Sequence, residues 1–152
     1  MIVYRLSKSK YANDLSGRGS ELVGGRWNSK GVPVVYTSES RALATTEIAV
    51  HTSLANIPTD YCIVSIYIPD SSIMIPELKD LPVDWNDVPP KVASQKYGDQ
   101  FTYDNNFLVL KVPSAVILGD FNYIINPRHK SISLVEIIET SPFPFDKRLF
   151  KA

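Results

Sequence analysis

The sequence predicts a compact single α+β domain of short mixed or antiparallel strands with few helices, and three observations carry that expectation. Short apolar, β-branched runs recur along the chain, each closed by proline, glycine, serine or asparagine. The segment after Ser40 winds an apolar arc at the helical period. The chain has 152 residues, one domain's worth and enough to bury a sizeable core.

Met1 to Lys10 opens with a strand-like run followed by lysines. In the turn Gly24-Gly25-Arg26-Trp27-Asn28, adjacent glycines permit backbone conformations and close approaches that a side chain would forbid. Arg26 is therefore aimed by its backbone. Val32-Pro33-Val34-Val35-Tyr36-Thr37, bounded by Gly31 and a serine cluster, reads as a buried strand with Tyr36 at its exit.

A helix is expected from about Ser40 to Ala55, with Ser38 or Ser40 as N-cap. Helical winding puts Leu43, Val50 and Leu54 on one flank of an arc and Ala44 and Ile48 on the other, with Glu47 and His51 between them. Arg41, Thr45, Thr52 and Ser53 lie largely outside that arc, so the polar pair is not simply the solvated stripe. An unpartnered carboxylate in an apolar setting costs several kcal/mol, so something must face Glu47. Taken singly, Glu47 also fits an internal ion pair or a rim position, Arg26 a surface-paired turn arginine, and Tyr36 a half-buried sheet residue. His51 is expected to be a satisfied core histidine bonded to Glu47 one turn earlier.

Tyr61 to Ile68 alternates as a strand, and Ile73 to Ile75 suggests a second, shorter one. Proline and aspartate make Pro76 to Pro90 a surface excursion from which Trp85 folds back, and Pro89-Pro90 opens a short helix toward Gly98. Phe107 to Val112 is the strongest strand signal of the C-terminal half, stopped by Pro113. Ser114 then sits at a kink before a second apolar run to Leu118. Asn122 to Pro127 repeats the pattern, with Asn126 held extended by the following proline. Ile132 to Ile138 is the last strand expected, with Glu136 and Glu139 facing solvent.

Composition narrows the function classes. Lys plus Arg and Asp plus Glu both number 16, and the pI is near 6.7, so no broad electrostatic footprint for nucleic acid or anionic membrane exists. Cys62 alone makes no intrachain disulfide, and with only His51 and His129 beside it there is no zinc-type ligand set; no metal is expected. The N-terminal run lacks a signal-peptide core and no stretch approaches a membrane span, which predicts a cytoplasmic protein. Gly17-Arg18-Gly19 lacks the third glycine of a dinucleotide fingerprint, there is no Walker A loop, and no Gly-x-Ser-x-Gly elbow surrounds Ser114. Ser114 reads as an orienting turn serine.

Laid out in order, these residues resemble the RES-domain toxins, a family named for an arginine, a glutamate and a serine. The resemblance spans nearly the whole chain. Gly24-Gly25-Arg26-Trp27-Asn28, Val35-Tyr36-Thr37-Ser38, Glu47 and His51 fit the N-terminal pattern. Val112-Pro113-Ser114-Ala115-Val116, Asn122-Tyr123 and Asn126-Pro127-Arg128-His129 fit the C-terminal one, and Phe145-Asp146-Lys147-Arg148-Leu149 resembles the usual terminus. Phe101 stands where tryptophan is expected after Gly98-Asp99, and Ser20 where alanine is common; both leave the polar residues intact.

The resemblance implies a fold similar to ADP-ribosyltransferases and a growth-arresting toxin that depletes NAD by cleaving its nicotinamide–ribose bond, by hydrolysis or phosphorolysis. Transfer of ADP-ribose to a protein is the alternative, and a binding module with Arg26 and Glu47 as a structural ion pair is the non-enzyme one. The implied partners are NAD, as substrate with no other cofactor, and a cognate Xre-like helix-turn-helix antitoxin whose tail covers the site. No direct nucleic-acid or membrane contact is implied, and a homodimer is a further assembly open to the chain. Carried over as catalytic are Glu47, Arg26, Tyr36 and Ser114; as substrate-binding, Arg26, Tyr36, Ser114, Asn126 and Asn28.

Overall fold

The computed structural model describes residues 1–52 and 59–150. Its strands are β1 (Ile2–Lys8), β2 (Val35–Ser38), β3 (Tyr61–Tyr67), β4 (Ile73–Met74), β5 (Val109–Pro113), β6 (Phe121–Ile125) and β7 (Glu136–Pro142). Three α-helices accompany them: α1 (Arg18–Val23), α2 (Arg41–Ala49) and α3 (Val92–Asp104). The strands form one mixed sheet in the order β4-β5-β6-β2-β1-β3-β7, parallel only where β4 meets β5.

Side chains alternate across the sheet, and that alternation builds its two faces. Val34, Tyr36, Leu110, Val112 and Ile124 join Trp27 and Phe101 of α3 in one apolar cluster. Tyr4 pairs with Ser38, so the same face continues across β1, where Leu6 and Ile63 pack against Ala44 and Ile48 of α2. Both longer helices thus pack over the same face of the sheet. The opposite face buries Val3, Val35, Val64, Ile66, Val109, Tyr123 and Ile125. Cys62 is a buried free thiol in that core.

Several expectations need correction. Ser40 is the N-cap of α2, its hydroxyl accepting the Leu43 N–H, but the helix ends at Ala49. Val50, His51 and Thr52 are poor helix formers, and the Thr52 hydroxyl donates to the Ile48 carbonyl near the close of the last turn. Val50 is exposed as a result, and the expected positions Ser53 to Ala55, Leu54 included, lie outside the described residues. The helix expected to run toward Gly98 starts at Val92 and passes through Gly98 to Asp104, because that glycine meets the Trp27 backbone rather than ending a helix. Val116 to Leu118 is a turn before β6, not a strand, since the Ser114 hydroxyl gathers its backbone N–H groups. Ile132–Leu134 is a 3-10 turn, and the last strand begins at Glu136, with Glu136 and Glu139 exposed as expected. The short helix α1 had no counterpart in the sequence reading.

The buried His129 offers a test of the core. Its Nδ1 accepts the Ser131 N–H, and burial, helped by the charge of Lys130, lowers its pKa against a weaker opposing pull from the Asn106 backbone. A lowered folded-state pKa means that its contribution to stability is present above the unfolded value of about 6.5 and fades as pH falls toward the folded one. Chemical denaturation at pH 7 and pH 5 should therefore show an acid loss that is smaller in His129→Gln.

Candidate active site

The arginine turn is riveted to the sheet. Gly24 has φ +74° with an extended ψ, a positive-φ conformation that glycine adopts without strain. At Gly25 a Cβ would lie 2.5 Å from the Tyr36 hydroxyl, so only glycine admits that phenol. The Tyr36 hydroxyl accepts the Trp27 N–H at 3.0 Å and donates to Asn28 Oδ1 at 2.7 Å. The Asn28 amide, fully buried, donates to the Ser20 carbonyl at 2.9 Å and the Val32 carbonyl at 2.8 Å. Burial pushes the Tyr36 phenol far above its ordinary pKa, and Arg26 and the Trp27 N–H only partly offset this. Tyr36 is a neutral phenol that both gives and takes a proton in hydrogen bonds, not a phenolate.

From that turn, Arg26 Nη1 donates to the backbone carbonyls of Trp85 and Asp87 at 2.7 and 2.8 Å. Trp85 folds back as expected, stacking on Trp27 at 6.4 Å between ring centroids. Burial lowers the Arg26 pKa, while the negative charge of Glu47 is the largest influence opposing it, so the two side chains lie within electrostatic reach. They form no ion pair, which removes the structural-pair reading. Nε and Nη2 of Arg26 have no protein acceptor among the described residues.

Glu47 leaves α2 toward the strand ends. Its Oε1 accepts the Ser114 hydroxyl at 2.8 Å and Asn122 Nδ2 at 2.6 Å. No donor meets Oε2 among the described residues. The Ser114 hydroxyl also accepts the N–H groups of Val116 and Ile117, both at 3.0 Å. A hydroxyl has one proton and two lone pairs, so Ser114 has its hydrogen-bonding capacity filled while it holds Glu47 Oε1 in place. The Asn122 amide is in turn held by Ser38, whose hydroxyl donates to Oδ1 at 2.7 Å.

Ser114 thus meets Glu47 directly, Tyr36 is bound into the turn that carries Arg26, and the charges of Arg26 and Glu47 act on each other. Asn126 does not join them. It follows β6 at the end opposite Asn122, is fully buried, and spends its amide on the Thr102 carbonyl, Asn105 Oδ1 and the Arg128 N–H. Asn28 is likewise internal, so both asparagines hold scaffold rather than face a ligand. His51 is exposed in the turn beyond α2 and makes no bond to Glu47, because the helix ends before its position can face inward.

Asn122 and Ser38 are the residues that sequence reasoning missed. Strand alternation could have found Ser38, two residues past Tyr36 and hence on its face. Asn122 needed the pairing of β2 with β6, which sets it opposite Ser38. A separate hollow of about 170 Å³, lined by Met74, Tyr97, Gln100, Phe101, Asp104, Asn106 and Phe107, contains none of these residues. Among the described residues, no cluster of three or more His, Cys, Asp or Glu could hold a metal ion, and no helix is long and apolar enough to cross a membrane.

The chain is similar to known proteins over its whole length. It is 38% identical to "Toxin Res" of Photorhabdus laumondii, covering 100% of this chain and 99% of that protein. It is 34% identical to "Prs ADP-ribosylating toxin" of a Sphingobium species, covering 92% and 89%. Its fold is similar to a chain of the M. tuberculosis MbcT-MbcA toxin-antitoxin complex, with a TM-score of 0.78 at 17% identity, covering 98% of this chain and 86% of that one. The RES domain family model matches residues 2–146, which hold every residue of the site just described, and the chain belongs to the RES domain family.

Proposed function

We propose that this protein is the toxin of a toxin–antitoxin pair and that it cleaves the nicotinamide–ribose bond of NAD at the Arg26–Glu47 site. The observation that carries the reading is the state of the two charges. Among the described residues, Glu47 is oriented through one oxygen with the other without a protein donor, and Arg26 is anchored through one nitrogen with two more without a protein acceptor. A substrate bearing both a cationic reacting centre and a pyrophosphate matches that pair.

Breaking an N-glycosidic bond to a cationic leaving group develops oxocarbenium character on the ribose. A preorganised carboxylate stabilises that charge and can hold a ribose hydroxyl. Glu47 takes this role, and Ser114 and Asn122 keep its oxygen from turning away. The unused edge of Arg26 can fork two donors onto phosphate oxygens, which lysine would do less specifically. The part of the Tyr36 ring left accessible can stack against a base, its hydroxyl being already committed inward. The toxin role is supported by the names of the relatives and by the neighbour solved with its antitoxin; a helix-turn-helix antitoxin of the Xre type remains the partner to seek by co-purification.

The decisive test is incubation of purified protein with NAD, with and without phosphate, following nicotinamide and the ribose-containing product. Absence of nicotinamide release under both conditions would sink the proposal. A second reading, transfer of ADP-ribose to a protein, is favoured by the name of the Sphingobium relative. Labelled NAD separates the two, since label on protein means transfer and free ADP-ribose means hydrolysis. Arg26→Ala is expected to raise KM by about 10- to 100-fold, the scale of one charge-assisted contact, with a smaller change in kcat. Unchanged KM with collapsed turnover would instead move Arg26 into the chemical step.

A further inference from the structure

We infer that Ser38 is a positioning residue for the Glu47 carboxylate, acting through the Asn122 amide. The inference rests on the proposed reaction for its kinetic consequence, while its geometry stands by itself. Ser38 ends β2, is 5% exposed and lies directly opposite Asn122 across the β2–β6 pairing. Its hydroxyl donates to Asn122 Oδ1 at 2.7 Å, and the Nδ2 of the same amide donates to Glu47 Oε1 at 2.6 Å.

The chemistry of an amide gives that relay a direction. One end accepts and the other donates, so a proton offered to Oδ1 favours the rotamer in which Nδ2 meets the carboxylate. Turned over, the amide would set oxygen against Glu47 oxygen. Hydrogen bonds in series also polarise one another, which strengthens the final contact to the charged group. Without the Ser38 hydroxyl, Oδ1 loses its one protein donor among the described residues, and the bond to Glu47 is left to hold the amide against rotation. Ser114 would then hold Oε1 alone, and the carboxylate would sample orientations that are not aimed at the reacting ribose.

The local sequence separates this role from ordinary strand termination. The neighbouring Ser40 caps α2, so Ser38 is not needed for that task. Strand β2 therefore supplies Tyr36 and Ser38 to one face, and the helix it leads into returns Glu47 to the Asn122 amide that Ser38 holds.

The test uses Ser38→Ala and Ser38→Thr with two readouts. In NMR spectra of the free protein, the Asn122 side-chain amide protons should be shifted downfield and protected from exchange in the parent. They should lose both features in Ser38→Ala and regain them in Ser38→Thr, whose hydroxyl is retained on a β-branched side chain suited to a strand. In steady-state assays with NAD, Ser38→Ala should lower kcat by about three- to tenfold with KM nearly unchanged, the scale of one neutral hydrogen bond, and Ser38→Thr should restore it. Parent-like amide signals in Ser38→Ala would overturn the inference whatever the rate. Loss of the signals in both variants would also overturn it, as would a change confined to KM. If the parent releases no nicotinamide, the proposed reaction falls and the amide signals alone decide the role of Ser38.

Discussion

Glu47→Gln is expected to keep the fold and most of the affinity for NAD while losing about 10²-fold or more in the rate of nicotinamide release, the scale for removing one preorganised electrostatic group. The substitution is nearly isosteric, so α2 and its packing against Leu6 and Ile63 should persist. What changes is the charge offered to the developing oxocarbenium ion, and also the hydrogen-bond arithmetic around it. Glutamine can still accept from Ser114 and Asn122 through its carbonyl oxygen, the two bonds that hold Glu47 Oε1. Its NH2 group then stands where the unpaired carboxylate oxygen was and presents donors to the ribose. Turnover should collapse with KM little altered, and growth inhibition on expression should be relieved in parallel. Parent-like turnover would remove Glu47 from the chemistry.

Gly98→Ala is expected to be the most damaging small substitution to stability, costing about 3 kcal/mol or more by the scale of overpacked cores. In an open helix the same change would stabilise by nearly 1 kcal/mol, so the direction of the result is itself informative. Here a Cβ would overlap the Trp27 carbonyl oxygen and lie 2.7 Å from its carbonyl carbon. Neither side can yield cheaply. The Trp27 ring is packed against Trp85 and Tyr97, and the Trp27 backbone N–H is held by Tyr36. A shift of Trp27 would drag the neighbouring Arg26 with it, so residual folded protein should also bind NAD more weakly. Denaturant midpoints of the parent and variant measure the first effect, and a midpoint at or above that of the parent would contradict it.

The strands were legible in the sequence because each is a short apolar run with its own punctuation, and all seven occur near the places expected. The errors came where a run's own signal was overridden by one particular contact, near or distant in sequence. Gly98 looks like a helix stop until the Trp27 backbone is seen against it. Val116 to Leu118 looks like a strand until one serine hydroxyl binds two of its N–H groups. For the site, Arg26, Tyr36 and Glu47 could be singled out from turn chemistry and helical winding. That Ser114 and Asn122 share one carboxylate oxygen could not, because it depends on β5, β6 and α2 meeting. Asn126 was misassigned for the complementary reason. An extended asparagine before proline looks available, yet the C-terminal end of α3 and its following loop consume its amide.

The Arg26 guanidinium is anchored by main-chain oxygens of Trp85 and Asp87 and, among the described residues, by no side-chain acid. Carbonyl dipoles steer a cation without cancelling it, so an arriving anion displaces no hydrogen-bonded acid from the guanidinium among the described residues. The anchoring atoms are also the same in every amino acid. The path of the loop through positions 85 and 87 therefore trains the arginine on one spot, and the stacking of Trp85 on Trp27 fixes that path.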